Sequence, residues 1–225
     1  MPDTLYSWPD ALTRGVFLTI EGIEGVGKST AVHYIRDYLL ALKKDFILTR
    51  EPGGTKLAEA IRELLLRPDP HEIMTREAEL LLMFASRAQH IANVILPALQ
   101  AGKWVVSDRF LDASYAYQGG GRKIDTARID MLTQWIVGNV KPTLTILLDA
   151  DPAVGLARAK NRGPQDRIEQ EKIDFFERVR NGYLVCAKQD PTRFHIINAN
   201  QPLEKVQDEL KKILDLLITR PDSDS

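Results

Sequence analysis

Eight residues starting at Gly22 follow the spacing G-x-x-x-x-G-K-[ST], closed by Gly27, Lys28 and Ser29. This is chemistry suited to a polyphosphate. Glycines let the backbone curl until successive N–H groups point at phosphate oxygens. Lys28 then reaches the β- and γ-phosphates, and the Ser29 hydroxyl is placed to ligate Mg²⁺. The nucleotide-binding set read from this pattern is Gly22, Ile23, Glu24, Gly25, Val26, Gly27, Lys28, Ser29 and Thr30. Kinases, GTPases and motors all use such a loop. Glu24 is its odd member, because a carboxylate among phosphate-binding groups repels the ligand unless it has another partner. Either it points to solvent, or it meets a substrate hydroxyl or the metal.

Other chemistry-bearing residues fall where apolar runs end. Asp108 closes one run and suits water-mediated Mg²⁺ binding in a phosphate-loop enzyme. Asp149 closes another and competes for that role or caps the following helix, whose start is marked by Pro152. Arg50, Arg87 and Arg109 lie beside the same rim and suggest a second anion site, since guanidinium forks hold phosphate oxygens bidentately. Arg158, Lys160, Arg162 and Arg167 flank Gly163-Pro164. They read as an exposed basic helix end or as a mobile lid at about 158–169. Two anion sites facing one lysine fit transfer between phosphorylated compounds. Such a transfer needs no general base, because a phosphate monoester is largely a dianion above its second pKa of about 6. His33, His71, His90 and His195 are accordingly read as structural. The chain has no D-x-x-G or N-K-x-D motif, which argues against a GTPase.

The elements that must position these groups alternate. Apolar strands are expected at 16–20, 46–49, 104–107, 144–148 and 194–198. Helices are expected at 28–44, 56–66, 75–100, 125–138, 153–161, 170–188 and 203–218, with 111–122 starting helical and dissolving into glycine. This alternation gives a five-stranded parallel sheet with helices on both faces. Ligands in such sheets gather at the carboxyl ends of the strands, which puts the loop, Arg50, Asp108, Arg109 and Asp149 on one rim. One domain is expected over 15–220, between tails at 1–14 and 221–225.

The composition fits this reading. Of 225 residues, 44% are hydrophobic, enough for one sizeable core. Thirty basic against 31 acidic residues leave a net charge of −1, which argues against a nucleic-acid or membrane-surface role. Cys186 is the only cysteine, excluding an intrachain disulfide and a thiolate metal cluster. It is read as a buried, inert thiol. No apolar run approaches the roughly 18 residues of a membrane helix, and no signal pattern opens the chain. A soluble, cytoplasmic protein is expected.

Seven segments together carry a family resemblance: IEGIEGVGKST (20–30), TREPGGT (49–55), SRAQH (86–90), SDRF (107–110), SYAYQGGGR (114–122), LLDADP (147–152) and RGPQDRIEQE (162–171). The chain resembles the bacterial thymidylate kinases over nearly everything from Phe17 to the last helix. The resemblance implies the nucleoside monophosphate kinase fold and transfer of the γ-phosphate of ATP to dTMP, giving dTDP for dTTP biosynthesis. It implies Mg²⁺, held through Ser29 and Asp108, and a homodimer packed through helices. Lys28, Arg109 and Arg162 take catalytic roles by position, and Arg158 joins the ATP site. For dTMP it implies Glu24 at the 3′-hydroxyl, Tyr117 beneath the sugar, and Arg50, Arg87 and Arg109 at the phosphate or base. Ser114 and Gln118 lie near the thymine. Some relatives carry the catalytic arginine in the loop; here that position is Gly25, and the lid residue Arg162 matches the other type. The family's stacking aromatic lies four residues before the site arginine, a position held here by Met83. Phe84, one residue later, is expected to supply the ring. Another nucleotide or nucleoside kinase of this fold is the enzyme alternative, and an ATP-dependent switch protein the alternative from a different class.

Overall fold

The structure, a computed structural model, describes residues 15–160 and 163–219. The tails expected at 1–14 and 221–225 lie outside the described residues, as does Arg162. The strands are β1 (Phe17–Glu21), β2 (Phe46–Arg50), β3 (Trp104–Asp108), β4 (Leu144–Asp149) and β5 (Phe194–Asn198). They form one parallel sheet in the order β2-β3-β1-β4-β5. Four of them run one residue past their apolar stretch, to Glu21, Arg50, Asp108 and Asp149. The register pairs Ile20 with Asp108 and Arg50 with Asp108, so these polar ends gather at one edge.

Nine α-helices surround the sheet among the described residues: α1 (Lys28–Ala41), α2 (Lys56–Leu66), α3 (Arg76–His90), α4 (Leu96–Gln100), α5 (Leu111–Ser114), α6 (Thr126–Leu132), α7 (Pro152–Lys160), α8 (Ile173–Gln189) and α9 (Leu203–Thr219). Side-chain alternation along the central strands divides the core between two faces. Leu18, Ile20 and Val106 pack with Ile35 of α1, Phe176 of α8 and Leu214 of α9. Phe17 and Val105 pack on the other face with Phe84 of α3, Ile95 and Phe110. Cys186 is buried in the first cluster, and loss of hydration pushes its thiol up to about 12, as expected of an inert core residue. No helix of the described residues is long and apolar enough to cross a membrane.

Three helical expectations change, and the helix expected at 125–138 is α6 followed by a π turn at Thr133–Val137. The run at 75–100 is not uniform: α3 passes into a π turn at Ile91–Ile95 before α4. Pro97 stands just after that turn and has no N–H to give to the preceding ladder. The stretch after α5 does not dissolve into glycine but continues as a π turn through Tyr115–Gly121. Its glycines serve packing. A Cβ on Gly121 would lie 2.5 Å from the Phe175 ring of α8, so a side chain there would push α8 away.

Candidate active site

The phosphate loop leaves β1 at Gly22 and enters α1 through Gly27, which takes φ 100° as the N-cap. No side chain caps α1 and no acidic residue lies in its first turn, so its N–H groups face an open anion site. Lys28 Nζ donates to the carbonyls of Gly22 at 3.1 Å and Ile23 at 2.7 Å. Desolvation, joined by the Arg109 charge, pushes its ammonium down to about 8. Gly25 takes φ 73°, and α7 crosses it so closely that a Cβ there would lie 1.8 Å from the Gly155 carbonyl.

Asp108 and Arg109 stand beside the loop. One carboxylate oxygen of Asp108, Oδ1, is buried and has no hydrogen-bond partner among the described residues. Arg109 has φ 73°, and its backbone N–H donates to Ile20 O at 3.0 Å, turning its side chain back across the loop. Its Nη1 donates to Gly22 O at 2.9 Å and Tyr183 Oη at 2.8 Å; its Nη2 donates to Glu24 Oε1 and Tyr117 Oη, both at 2.9 Å. Burial alone would lower the guanidinium pKa, but the oxygens around it hold it well above the ordinary value. Glu24 therefore does not face solvent. Its partners are Arg109 and the Tyr117 hydroxyl, which donates to it at 2.7 and 2.8 Å.

Two residues of this network leave no mark in the sequence pattern. Tyr183 of α8 donates to Glu21 Oε2 at 2.8 Å, and Glu21 Oε1 accepts the Phe110 N–H at 2.7 Å. Glu21 is completely buried, and desolvation, with the nearby Asp112 charge, pushes its carboxyl up to about 8.

Arg87 occupies the other end. It is 2% exposed, and its guanidinium donates to Glu51 Oε2 at 2.8 Å, Ser114 Oγ at 3.0 Å and the Phe110 carbonyl at 3.0 Å. The other oxygen of Glu51 meets His90 Nδ1 at 2.9 Å, and His90 Nε2 meets Thr49 Oγ1 at 2.6 Å. Gln118 gives its Nε2 to Glu79 Oε1 at 2.9 Å, while its buried Oε1 has no partner among the described residues. Lys28, Asp108, Arg109, Arg87, Tyr117 and Gln118 all line a single cavity of about 270 Å³, with Ser29 and Glu24 at its loop end.

Several expected positions differ. Phe84 does not line the cavity; it is 2% exposed beneath Arg87, whose guanidinium carbon sits 4.8 Å from its ring centre. Met83 lines the cavity instead, because one residue along α3 turns the side chain by about 100°, and Phe110, just past β3, lines it too. Arg50 reaches the cavity wall, but its Nη2 is held by Glu59 at 2.9 Å on a half-exposed surface. Arg62 of α2 joins that wall without having been singled out by sequence. Asp149 neither faces the loop nor caps α7: Arg180 holds it with contacts of 2.6 and 2.7 Å, and Asp151 accepts the Ala153 N–H. The basic set after β4 is divided. Arg158 is not on the cavity and donates to Ala199 O at 3.0 Å. Arg167 reaches Leu65 O and Glu79, so the stretch expected to be a lid presents Asp166, Ile168 and Glu169 to the cavity.

The profile of the family described as "Thymidylate kinase" matches residues 20–210. The chain belongs to the thymidylate kinase family. The thymidylate kinase of Ruthia magnifica subsp. Calyptogena magnifica is 50% identical over 206 residues, covering 92% of this chain and 100% of that protein. That of Thiobacillus denitrificans is 50% identical over 200 residues, 89% of this chain and 96% of its own. The crystal structure of thymidylate kinase from Ehrlichia chaffeensis superimposes with a TM-score of 0.72 at 35% identity, covering 89% of this chain and 98% of that one. The fold of this thymidylate kinase-family chain is thus the phosphate-loop nucleoside monophosphate kinase fold.

Proposed function

We propose that this thymidylate kinase-family enzyme phosphorylates dTMP to dTDP with ATP as donor by bringing both phosphates to the one cavity between the loop and Arg87. The carrying observation is the convergence of Lys28, Asp108, Arg109 and Arg87 on that cavity, beside an open helix N-terminus. The loop N–H groups and α1 cradle the donor phosphates, and Lys28 exchanges the Gly22 and Ile23 carbonyls for phosphate oxygens. Arg109, poised across the loop, holds the acceptor phosphate against the donor. The acceptor arrives as a dianion, so catalysis is positioning and charge stabilisation rather than proton abstraction.

The orphaned Asp108 Oδ1 and the Ser29 hydroxyl make an all-oxygen donor set suited to a hard cation. These two residues would hold Mg²⁺, whose contribution when bound is to offset charge on the transferring phosphoryl group. Arg162, in the lid segment, is proposed as the further catalytic cation. Glu24 retains lone pairs for the sugar 3′-hydroxyl, while the Tyr117 ring excludes a 2′-hydroxyl. Gln118 Oε1 accepts the thymine N3–H, and Ser114 and Arg87 flank it.

A homodimer is proposed as well, supported by exposed apolar residues on neighbouring helices: Leu57 and Leu64 of α2, Leu81 of α3, Met131 of α6 and Trp135 beyond it. The balanced net charge supports small-molecule substrates rather than nucleic acid or membranes as partners, and a cytoplasmic location is proposed from the family the chain belongs to.

Coupled ADP-release assays with dTMP, dUMP, dGMP and thymidine test the acceptor. Turnover is expected to be greatest with dTMP. Background rates with dTMP alongside turnover of another acceptor would refute the substrate assignment, and ATP consumption unaffected by any acceptor would favour a switch protein.

A further inference from the structure

Glu79 is a carboxylate that phosphoryl transfer does not touch, yet it is 1% exposed and joins three segments of the chain. Arg122, just past the Tyr115–Gly121 turn, places Nε 3.1 Å from both of its oxygens and Nη2 3.0 Å from Oε2. Arg167, from the lid segment, brings Nη2 to 2.7 Å of Oε2. Gln118 donates from Nε2 to Oε1 at 2.9 Å. Burial pushes the Glu79 carboxyl up, but the hydrogen bond and charge of Arg122, with Gln118 and Arg167, outweigh this and hold it below the usual range.

The consequence falls on Gln118. An ionised carboxylate only accepts hydrogen bonds, so the amide must turn its NH₂ toward Glu79 and its oxygen away. That oxygen is the buried, unpartnered Oε1 of a cavity-lining residue. A buried acceptor left unmatched is costly, so the site favours a ligand that brings a donor. A pyrimidine with N3–H brings one. A cytosine ring presents a lone pair at N3, and two acceptors then face each other.

We propose that Glu79 is a positioning residue for acceptor choice, fixing the polarity of the Gln118 amide so that the cavity accepts an N3–H base and rejects one with an N3 lone pair. The proposal rests on Gln118 as the residue that meets the base, and the two can fail separately.

The test compares kcat/KM for dTMP and dCMP in the parent, Glu79→Gln and Gln118→Leu proteins. In Glu79→Gln the Nη2 groups of both arginines lie on the Oε2 side and claim the remaining oxygen, with Arg122 Nε shared between the two positions. The new NH₂ then faces Gln118 and inverts its amide. The dTMP:dCMP ratio of kcat/KM is expected to fall at least about tenfold in Glu79→Gln, and also to fall in Gln118→Leu. A preserved ratio in Glu79→Gln, with both substrates losing equally, would mean that Glu79 only supports the fold and would overturn the proposal. If Gln118→Leu also preserves the ratio, the base contact itself fails and the proposal with it. If Gln118→Leu lowers the ratio and Glu79→Gln does not, only the role of Glu79 is lost. Should Glu79→Gln not fold, Glu79→Asp keeps the charge but withdraws it from Gln118 by one methylene. The same ratio then decides: a fall supports the proposal and an unchanged value overturns it.

Discussion

At the loop end of the cavity, Lys28 and Arg109 are partly exposed and direct donors to carbonyl oxygens of the loop itself. At the far end, Arg87 is enclosed by Glu51, Ser114 and Phe110, and Glu79 by two arginines and an amide. Lys28 holds only neutral carbonyls that an incoming phosphate readily displaces, and Arg109 adds to such a carbonyl the Glu24 carboxylate at the cavity wall. The far-end charges hold opposite charges or fixed dipoles that no ligand replaces. One end is built to exchange partners and the other to keep them. Substitutions at the first should therefore cost rate, and substitutions at the second should cost stability and substrate choice.

The largest expected effect tests the exchanging end. Lys28→Met should lower kcat about 10³-fold while thermal unfolding of the free protein stays within error, because the lost cation acts on charge developing during transfer. A large fall in melting temperature would instead place Lys28 among the fold-supporting charges. Next comes Arg162→Ala, with kcat expected to drop about 10²-fold and dTMP affinity, measured by calorimetry, nearly unchanged. An unaltered kcat would remove Arg162 from the mechanism.

At the keeping end, Glu51→Gln leaves the Arg87 charge buried without its counter-ion. Urea denaturation at pH 7 should show a loss of about 3 kcal/mol. A loss below about 0.5 kcal/mol, the range of ordinary surface changes, would show that the far end tolerates exchange too.

The smallest effect concerns Glu21, which lies between the two ends. Its folded pKa of about 8 lies above the ordinary 4.5, so the folded protein holds a proton that the unfolded chain releases across that interval. Its contribution to stability is thus fully present below pH 4.5 and is lost as pH rises through about 8. Denaturation at several pH values should show this decline in the parent and a flatter profile in Glu21→Gln. Identical profiles would show that Glu21 is ionised throughout.

The exchanging end was the more legible in the sequence. Its loop is a contiguous pattern, and Asp108 and Arg109 follow directly from a buried parallel strand whose apolar run ends where the ligand edge begins. The keeping end depends on pairs far apart in the chain. Arg87 and Glu51 are separated by 36 positions, Gln118 and Glu79 by 39, Tyr183 and Glu21 by 162, and no local spacing announces such partners. The arginines after β4 show the same limit: their charge was plain, but whether each meets a phosphate, Ala199 O or Glu79 is decided by tertiary packing. Met83 and Phe84 exchange places for a simpler reason. Adjacent residues on a helix point in different directions, and the sequence does not fix the rotation of α3 about its axis.

The contact between Gly25 and the Gly155 carbonyl bears on how this enzyme could change over evolutionary time. The resemblance drawn from the sequence implies two layouts for the catalytic arginine, one at Arg162, the layout proposed for this chain, and one in the loop at the position of Gly25. Here, any side chain at that position meets the α7 backbone and must adopt φ 73°. A single codon change to arginine would collide with α7 before it could take over the role proposed for Arg162. Moving the cation from one place to the other requires α7 to retreat as well, so the two layouts are separated by a coordinated step rather than by a neutral drift of one residue.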